Sequence, residues 1–224
     1  MIKNSCLDEL PKERIFGEIQ KLLLKASKIS LGFKLLKELG AFEYFTQLKS
    51  LNDKEWNKTL MALDEILKYR SSDAKRDTVL ALSVLSFGLK SEVACSFLLK
   101  ISDEKELLKR VLSLIKAKLS VIPSNYELYS LAQDVNLNEL IMLRVALEPK
   151  KVKIYQEVKK RVKELGVQNK ALKPLIQGRD LLELGLKASP AFKSILEESY
   201  EAQKNETFAN HEDAILWLKK RLLG

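Results

Sequence analysis

The scarcity of helix-breaking residues is the feature that most constrains how this chain folds. Its 224 residues include only 8 Gly and 5 Pro, while Leu, Lys and Glu, which all favour helices, are abundant. No segment alternates apolar and polar residues over the length that a strand requires. We therefore expect an all-α fold, an elongated array of helices without a β-sheet.

Capping residues predict several helix boundaries. Ser30 has the side chain of an N-cap and is expected to begin the second helix, which Gly40 would end in a left-handed conformation. Asn52 followed by Glu55 is the pattern of a capping box at the start of a long helix. Asn210 is predicted to begin the last helix.

Basic residues are concentrated in the last third of the chain. The formal net charge is +9 and the sequence pI is about 9.3. Residues 149–224 hold 16 basic and 10 acidic side chains, against 23 and 20 in the rest, and within residues 150–173 the ratio is nine to two. Such an excess attracts polyanions such as RNA, although a solvated lysine-rich surface would have the same composition.

The most basic segment has the spacing of one amphipathic helix, predicted over residues 150–165. Its apolar positions recur at helical intervals and are expected to face the core; they are Val152, Tyr155, Val158, Val162 and Leu165. The lysines between them would then point to solvent, where they could contact phosphate groups.

The sequence contains no recognisable motif for catalysis or metal binding. The single histidine, His211, is predicted to be a surface residue at a helix start, and Cys6 and Cys95 are too far apart to suggest a metal cluster. There is no phosphate-binding glycine loop and no nucleophile elbow. We expect no catalytic residue, metal site or cofactor in this chain, and, since no signal peptide or membrane-spanning segment is evident, a cytoplasmic protein without a membrane partner.

Two segments stand out from this background. In the first, Arg14 and Glu18 are four residues apart, a spacing that favours an ion pair on a helix face, with Glu13 beside them. In the second, Gly178 and Gly185 bracket a short helix, and Ser189 is expected to cap the helix that follows. Backbone N–H groups at both helix starts, near basic side chains, predict phosphate binding there; a plain helical hairpin with a leucine core is the other interpretation.

In these segments the chain resembles the bacterial-type tRNA nucleotidyltransferase and poly(A) polymerase family. Residues 11–21 and 31–40 are similar to the two helices of that family's neck, and residues 178–185 and 200–219 are similar to its tail. The resemblance is weak over residues 46–148. The chain also has Ala188-Ser189-Pro190 where the family usually has Pro-Gly-Pro.

The resemblance implies three parts: neck-like helices at residues 1–45, a helical body at 46–148 and a basic helical tail at 149–224. It implies that the chain docks the acceptor stem and T-arm of tRNA, and that Glu13, Arg14 and Glu18 brace the nucleotide pocket of a catalytic head domain. That head, which in the family uses magnesium and nucleoside triphosphates, would be supplied in cis by a longer protein or in trans by a split enzyme.

The residues expected to bind RNA combine the basic helix with basic side chains of the tail. They are Lys150, Lys151, Lys153, Lys159, Lys160, Lys163, Lys173, Arg179, Lys187 and Lys193. The alternative is a helical protein-interaction scaffold whose basic surface meets an acidic protein and has no RNA role.

Overall fold

The computed structural model describes residue 7 and residues 9–223, and this part of the chain contains twelve α-helices and no strand. The prediction of an all-α fold is confirmed. The helices are α1 (Lys12–Lys25), α2 (Ile29–Glu38), α3 (Asp53–Ile66), α4 (Ala74–Ser86), α5 (Ser91–Ile101), α6 (Lys105–Lys116), α7 (Asn125–Asp134), α8 (Leu137–Leu147), α9 (Val152–Glu164), α10 (Gly178–Glu183), α11 (Ala191–Lys204) and α12 (His211–Leu223). Short 3₁₀ segments span Ala41–Glu43, Thr46–Ser50, Leu67–Tyr69 and Pro149–Lys151.

Residue contacts divide the chain into two compact units, each made of two separate stretches of sequence. The first unit comprises the described residues up to Lys118 together with Asn138–Lys159. The second unit comprises Leu119–Leu137 together with the described residues from Lys160 onward. Helices α1 to α6 therefore belong to the first unit, and α7 and α10 to α12 belong to the second.

Helix α4 is the centre of the first unit. Every residue from Asp77 to Ser86 is buried, and α4 packs against α1, α3 and α6. A run of small and apolar residues without a polar face is typical of a helix that is surrounded by others. Trp56 of α3 adds an aromatic cluster, because its ring meets those of Phe33 and Phe42 edge to face.

The second unit has a smaller core of its own. Its fully buried members come from α10, α12 and the segments that precede them: Ile176, Leu181, Phe208, Ala214 and Leu218. Phe192 and Trp217 pack partly buried against this cluster, and the Phe208 and Trp217 rings are 5.5 Å apart. The leucines of the glycine-bracketed segment thus include a core residue, as the helical-hairpin interpretation predicts.

Most of the predicted helix ends are confirmed. The Glu55 N–H donates to Asn52 Oδ1 at 3.0 Å and the Asn52 N–H donates to Glu55 Oε2 at 3.1 Å, which completes the capping box. Gly40 has a φ of 84°, the left-handed conformation that a helix end requires. Asn210 Oδ1 accepts from the Asp213 N–H at 2.9 Å, so it caps α12 as predicted.

The prediction that Ser30 caps α2 is wrong. The helix begins one residue earlier, at Ile29, and Ser30 is buried. Its N–H and its hydroxyl donate to the two carboxylate oxygens of Asp64 on α3, at 2.9 and 2.6 Å. A carboxylate from another helix therefore satisfies the N–H of Ser30, one of the backbone donors in the first turn of α2 that have no partner within the helix.

Candidate nucleic-acid interface

Helix α9 forms as its apolar spacing predicts. Tyr155, Val158 and Val162 are buried, and Val152 and Leu165 are half-buried. The hydroxyl of Tyr155 donates to Glu148 Oε2 at 2.8 Å, which ties the start of α9 to the residue that precedes the 3₁₀ segment. Burial on one side leaves the basic side chains of α9 on the solvent side.

The basic residues of α9 fall mainly on one side of its exposed surface. Lys153, Lys159, Lys160 and Lys163, here called the α9 basic stripe, are all exposed. At roughly 100° per residue, they span an arc of about 120° next to the buried face. None of these four ammonium groups has a hydrogen bond or an ion pair within the part of the chain that the structure describes. Their charge is therefore available to a polyanion.

The other side of α9 is neutralised. Arg161 lies there with two acidic residues, Glu157 and Glu164. Its guanidinium donates to Asn125 Oδ1 at 2.9 Å and pairs with Glu164 at 3.1 Å. Arg161 thus joins α9 to the start of α7, and it is less available to RNA than the stripe.

The other predicted RNA-binding residues are placed on several elements. Lys150 is exposed before α9, while Lys151 pairs with Glu148 at 2.9 Å. The four predicted residues of the second unit are all exposed, and each lies on a different element. In chain order, the segment before α10, α10 itself, the loop after it and α11 carry Lys173, Arg179, Lys187 and Lys193. Lys193 lies 3.8 Å from Glu197, an exposed ion pair that contributes little to stability. Only α9 brings several of the predicted residues together on one element.

At the start of α10, one of the backbone donors is already bound by the chain itself. Asp180, whose side chain is almost fully buried, accepts the Gln177 N–H at 2.7 Å and so caps the helix with the chain's own carboxylate. The Nε2 atom of His211 lies 3.1 Å from the other oxygen of Asp180. His211 is half-exposed at the start of α12, as predicted, and its ring contacts the carboxylate of Asp180 that caps α10.

The predicted cap of α11 is also wrong. Pro190 is the N-cap residue of that helix and no side chain caps it. Ser189 contributes its backbone carbonyl, which accepts the Phe192 N–H at 3.0 Å. A backbone hydrogen bond therefore closes the turn at the start of α11, and the serine hydroxyl takes no part in it.

The neck-like residues lie on the exposed face of α1. Glu18 pairs with Lys21 at 2.8 Å, and not with Arg14 as its spacing predicts. The hydrogen bond and the charge of Lys21 lower the pKa of the Glu18 carboxyl, and Arg14 has a smaller effect in the same direction. Among the described residues, the side chains of Glu13 and Arg14 make no hydrogen bond or ion pair.

An apolar groove runs beside these residues between α1 and α2. Its volume is about 500 Å³, and Arg14 and Glu18 are its charged lining residues. The remaining walls are apolar and include Leu22, Leu36 and Phe45, with the half-exposed Leu35 and Leu39 along one edge. We call it the α1–α2 groove.

A glycine allows α1 and α2 to approach at this groove. A Cβ atom at Gly32 would lie 2.3 Å from Leu22 Cδ1. Sequence reasoning missed the groove. The sequence does contain a pattern that could have indicated it: Leu31, Leu35 and Leu39 recur every four residues along α2. Ile29 and Phe33 on the other side of the helix already fill the core, so this second row of leucines is exposed.

Two further features are absent from the described residues. These residues contain no group of three or more His, Cys, Asp or Glu side chains arranged to hold a metal ion. Within the same residues, none of the helices combines the length and the apolar character needed to cross a membrane.

Comparison with known proteins adds an independent finding about the first helices. Residues 3–53 match the family described as the "probable RNA and SrmB-binding site of polymerase A". No curated protein and no solved structure gives a significant match to the chain. The matched range includes α1, α2 and the α1–α2 groove. The chain therefore contains a poly(A) polymerase-like RNA-binding region.

Proposed function

We propose that this chain is the RNA-binding part of a tRNA nucleotidyltransferase or poly(A) polymerase-like enzyme. It docks the acceptor stem and T-arm of tRNA and presents the 3′ end to a head domain that adds nucleotides. The match of residues 3–53 to a polymerase RNA-binding region is the observation that supports this proposal most directly. The resemblance of residues 178–185 and 200–219 to the same family's tail is consistent with it.

The α9 basic stripe supports an RNA partner on physical grounds. Unpaired lysines on one side of a rigid helix suit contacts with phosphates, which position a nucleic acid without reading its bases. Structured RNA is recognised mostly through shape, phosphates and 2′-hydroxyl groups. Lys153, Lys159, Lys160 and Lys163 would therefore bind the backbone of a folded RNA, helped by the other predicted basic residues of the tail.

The test is a filter-binding titration of a tRNA transcript across a series of salt concentrations. Binding through phosphates releases counterions, so affinity should fall steeply as salt rises. The variant K159E/K160E/K163E should weaken binding by about tenfold or more, because three attractive contacts become repulsive. Its charge-matched control is K54E/K58E/K105E, which alters exposed lysines of α3 and α6 and should change affinity much less.

Two results would contradict the proposal. If the unaltered chain does not bind the tRNA transcript, or binds it with an affinity that does not change with salt, the proposed RNA-binding function is wrong. An equal loss in both triple variants would mean that net charge, and not the α9 basic stripe, governs binding. A purified protein whose absorbance shows no nucleic acid and which carries an acidic protein instead would favour the interaction scaffold.

We propose further that the α1–α2 groove receives the head domain. Leucines at its edge offer apolar contact area, while the guanidinium of Arg14 is free of ion pairs with described residues and suits a carboxylate on the partner. The head would supply magnesium and nucleoside triphosphate binding. Mixing the chain with such a head domain should restore nucleotide addition, and L35D should abolish the gain without changing the part of the tRNA salt slope that is due to the α9 basic stripe; continued inactivity of the mixture would contradict this step.

A further inference from the structure

A loop of the second unit presents two lysines without the support of secondary structure. Between the end of α9 and the start of α10 the chain forms no helix. Lys170 and Lys173 are exposed in this loop, and neither has an acidic partner in the described part of the chain. A loop of this kind would ordinarily sample many conformations, which would weaken any contact that its lysines make.

Helix α11 holds this loop by its backbone. The side-chain amide of Gln203 makes two hydrogen bonds: Nε2 donates to the Lys173 carbonyl at 2.9 Å, and Oε1 accepts the Leu175 N–H at 2.9 Å. One turn earlier, the Tyr200 hydroxyl donates to the Leu172 carbonyl at 2.8 Å. These three bonds, here called the α11 clamp, fix the backbone on both sides of the Lys173 side chain.

Burial makes the clamp more effective than surface hydrogen bonds of the same length. Gln203 is 7% exposed, so its amide has little access to water that could replace either loop group. Removing the amide would leave the Leu175 N–H and the Lys173 carbonyl, which are partly shielded from water in these bonds, without that partner; this is costlier than losing a fully solvated bond. Ile176, buried in the core of the second unit, fixes the end of the loop next to the clamp.

The helix that supplies the clamp is itself anchored. The ammonium of Lys204, next to Gln203, is buried and lies 2.7 Å from Glu201 and 3.3 Å from the Ser130 hydroxyl of α7. The rings of Tyr126 and Tyr200 lie 5.0 and 5.6 Å from it, within the range of cation–π attraction. The loop is therefore held by an element with a defined position against α7.

We propose that Tyr200 and Gln203 are positioning residues for RNA: they hold Lys170 and Lys173 as a preformed pair of phosphate contacts. This inference rests on the proposed RNA function and adds to it a second contact region, in the loop that follows the α9 basic stripe along the chain. The ligand class is the phosphate backbone of a folded RNA. A loop that is ordered before binding does not lose its entropy at the moment of binding, so its lysines contribute more affinity.

The experiment compares salt slopes of tRNA-transcript binding in four forms of the full chain. K170A/K173A should reduce the slope of log affinity against log salt by about two, because each lost phosphate contact reduces it by about one. Q203L keeps the size of the side chain but removes both amide bonds, and it should reduce the slope by at least about one. Adding Q203L to K170A/K173A should change neither slope nor affinity further.

The matched control is Y126F, which also removes one tyrosine hydroxyl hydrogen bond to α11. That bond joins Tyr126 to Glu201 at 2.9 Å and does not touch the loop, so the slope should stay that of the unaltered chain. Y200F removes the hydroxyl bond to Leu172, together with the interaction of that hydroxyl with Gln133, and should lower affinity about twofold to threefold. Y200F keeps the inference testable if Q203L does not fold.

Amide hydrogen exchange tests the clamp without RNA. The Leu175 N–H should be protected in the unaltered chain and should exchange much faster in Q203L, while amides of α12 keep their protection. An unprotected Leu175 N–H, or a Q203L slope equal to that of the unaltered chain, would overturn the inference and leave the proposed function standing. A chain that does not bind the transcript at all would overturn both.

Discussion

Helices α2 and α9 both bury one face in the protein, yet they expose opposite chemistry. Helix α2 leaves Leu31 and Leu35 more than half exposed, and Leu35 lines the α1–α2 groove. Helix α9 exposes the four lysines of its basic stripe. An apolar edge suits a folded protein partner and a row of ammonium groups suits a polyanion, so the two helices indicate two different docking surfaces.

The family match separates these surfaces further. It covers residues 3–53, with the groove, and does not extend to α9. The description of the matched family names both RNA and SrmB as what the region binds. Sequence similarity and electrostatics therefore point to different segments, and the proposed function assigns each segment its own ligand.

The largest effect is expected from a pair of variants on opposite sides of α2. Phe33 is 3% exposed and its ring meets Trp56, so F33A should lower the free energy of unfolding by about 3–5 kcal/mol. Leu35 is 54% exposed, and L35A should change that free energy by less than about 0.5 kcal/mol. Urea denaturation measures both. Similar losses would show that Leu35 packs in the core and is not available to a partner.

A smaller effect should separate the two sides of α9. Lys160 has no acidic partner among the described residues, whereas the adjacent Arg161 is held by Asn125 and Glu164. K160A should therefore lower the salt slope of tRNA binding by about one, and R161A should leave it nearly unchanged. If the two variants weaken binding equally, RNA contacts both sides of the helix and the stripe has no special role.

The smallest effect is a pH dependence that arises at the start of α9. Burial, followed by the hydrogen bond and charge of Glu148, raises the pKa of Tyr155 to about 12, from an ordinary value of 10.0. The folded state keeps this proton more tightly than the unfolded state, so stability should be lost as pH rises from about 10 towards about 12. Y155F should lack this part of the loss.

Denaturation curves of the unaltered chain and Y155F at pH 8 and at pH 11 measure the difference. Subtraction is needed because burial also raises the pKa of Tyr69, Tyr129 and Tyr200. An identical change in the two proteins would mean that Tyr155 ionises equally well in the folded and unfolded states. No comparable contribution is expected from α2, which contains no tyrosine.

Helix positions and the outward direction of the lysines were predictable from the sequence. The pattern of Tyr155, Val158 and Val162 sets which side of α9 is buried, and the turn preferences of Asn52 and Gly40 set two helix ends. These are local effects, because side chains three or four residues apart meet on one helix face whatever the rest of the chain does.

Two of the wrong predictions share a cause. Ser30 was expected to cap α2 and Glu18 to pair with Arg14, but Asp64 binds Ser30 and Lys21 binds Glu18. In each case the sequence pattern offers a plausible local partner, and a better-placed one decides the outcome. For Ser30 that partner lies 34 residues away and becomes a neighbour only when α2 packs on α3.

By itself, then, the sequence determined an all-helical fold, a basic α9 and a likeness to polymerase RNA-binding regions. The tertiary structure decided the α1–α2 groove, the internal cap at Asp180 and the α11 clamp. The reason is distance along the chain: Gln203 lies 30 residues from the Lys173 carbonyl that it binds, and no local preference encodes that contact. Only packing brings such groups together. Once they are shielded from water, a hydrogen bond to each other is the most favourable one that they can form.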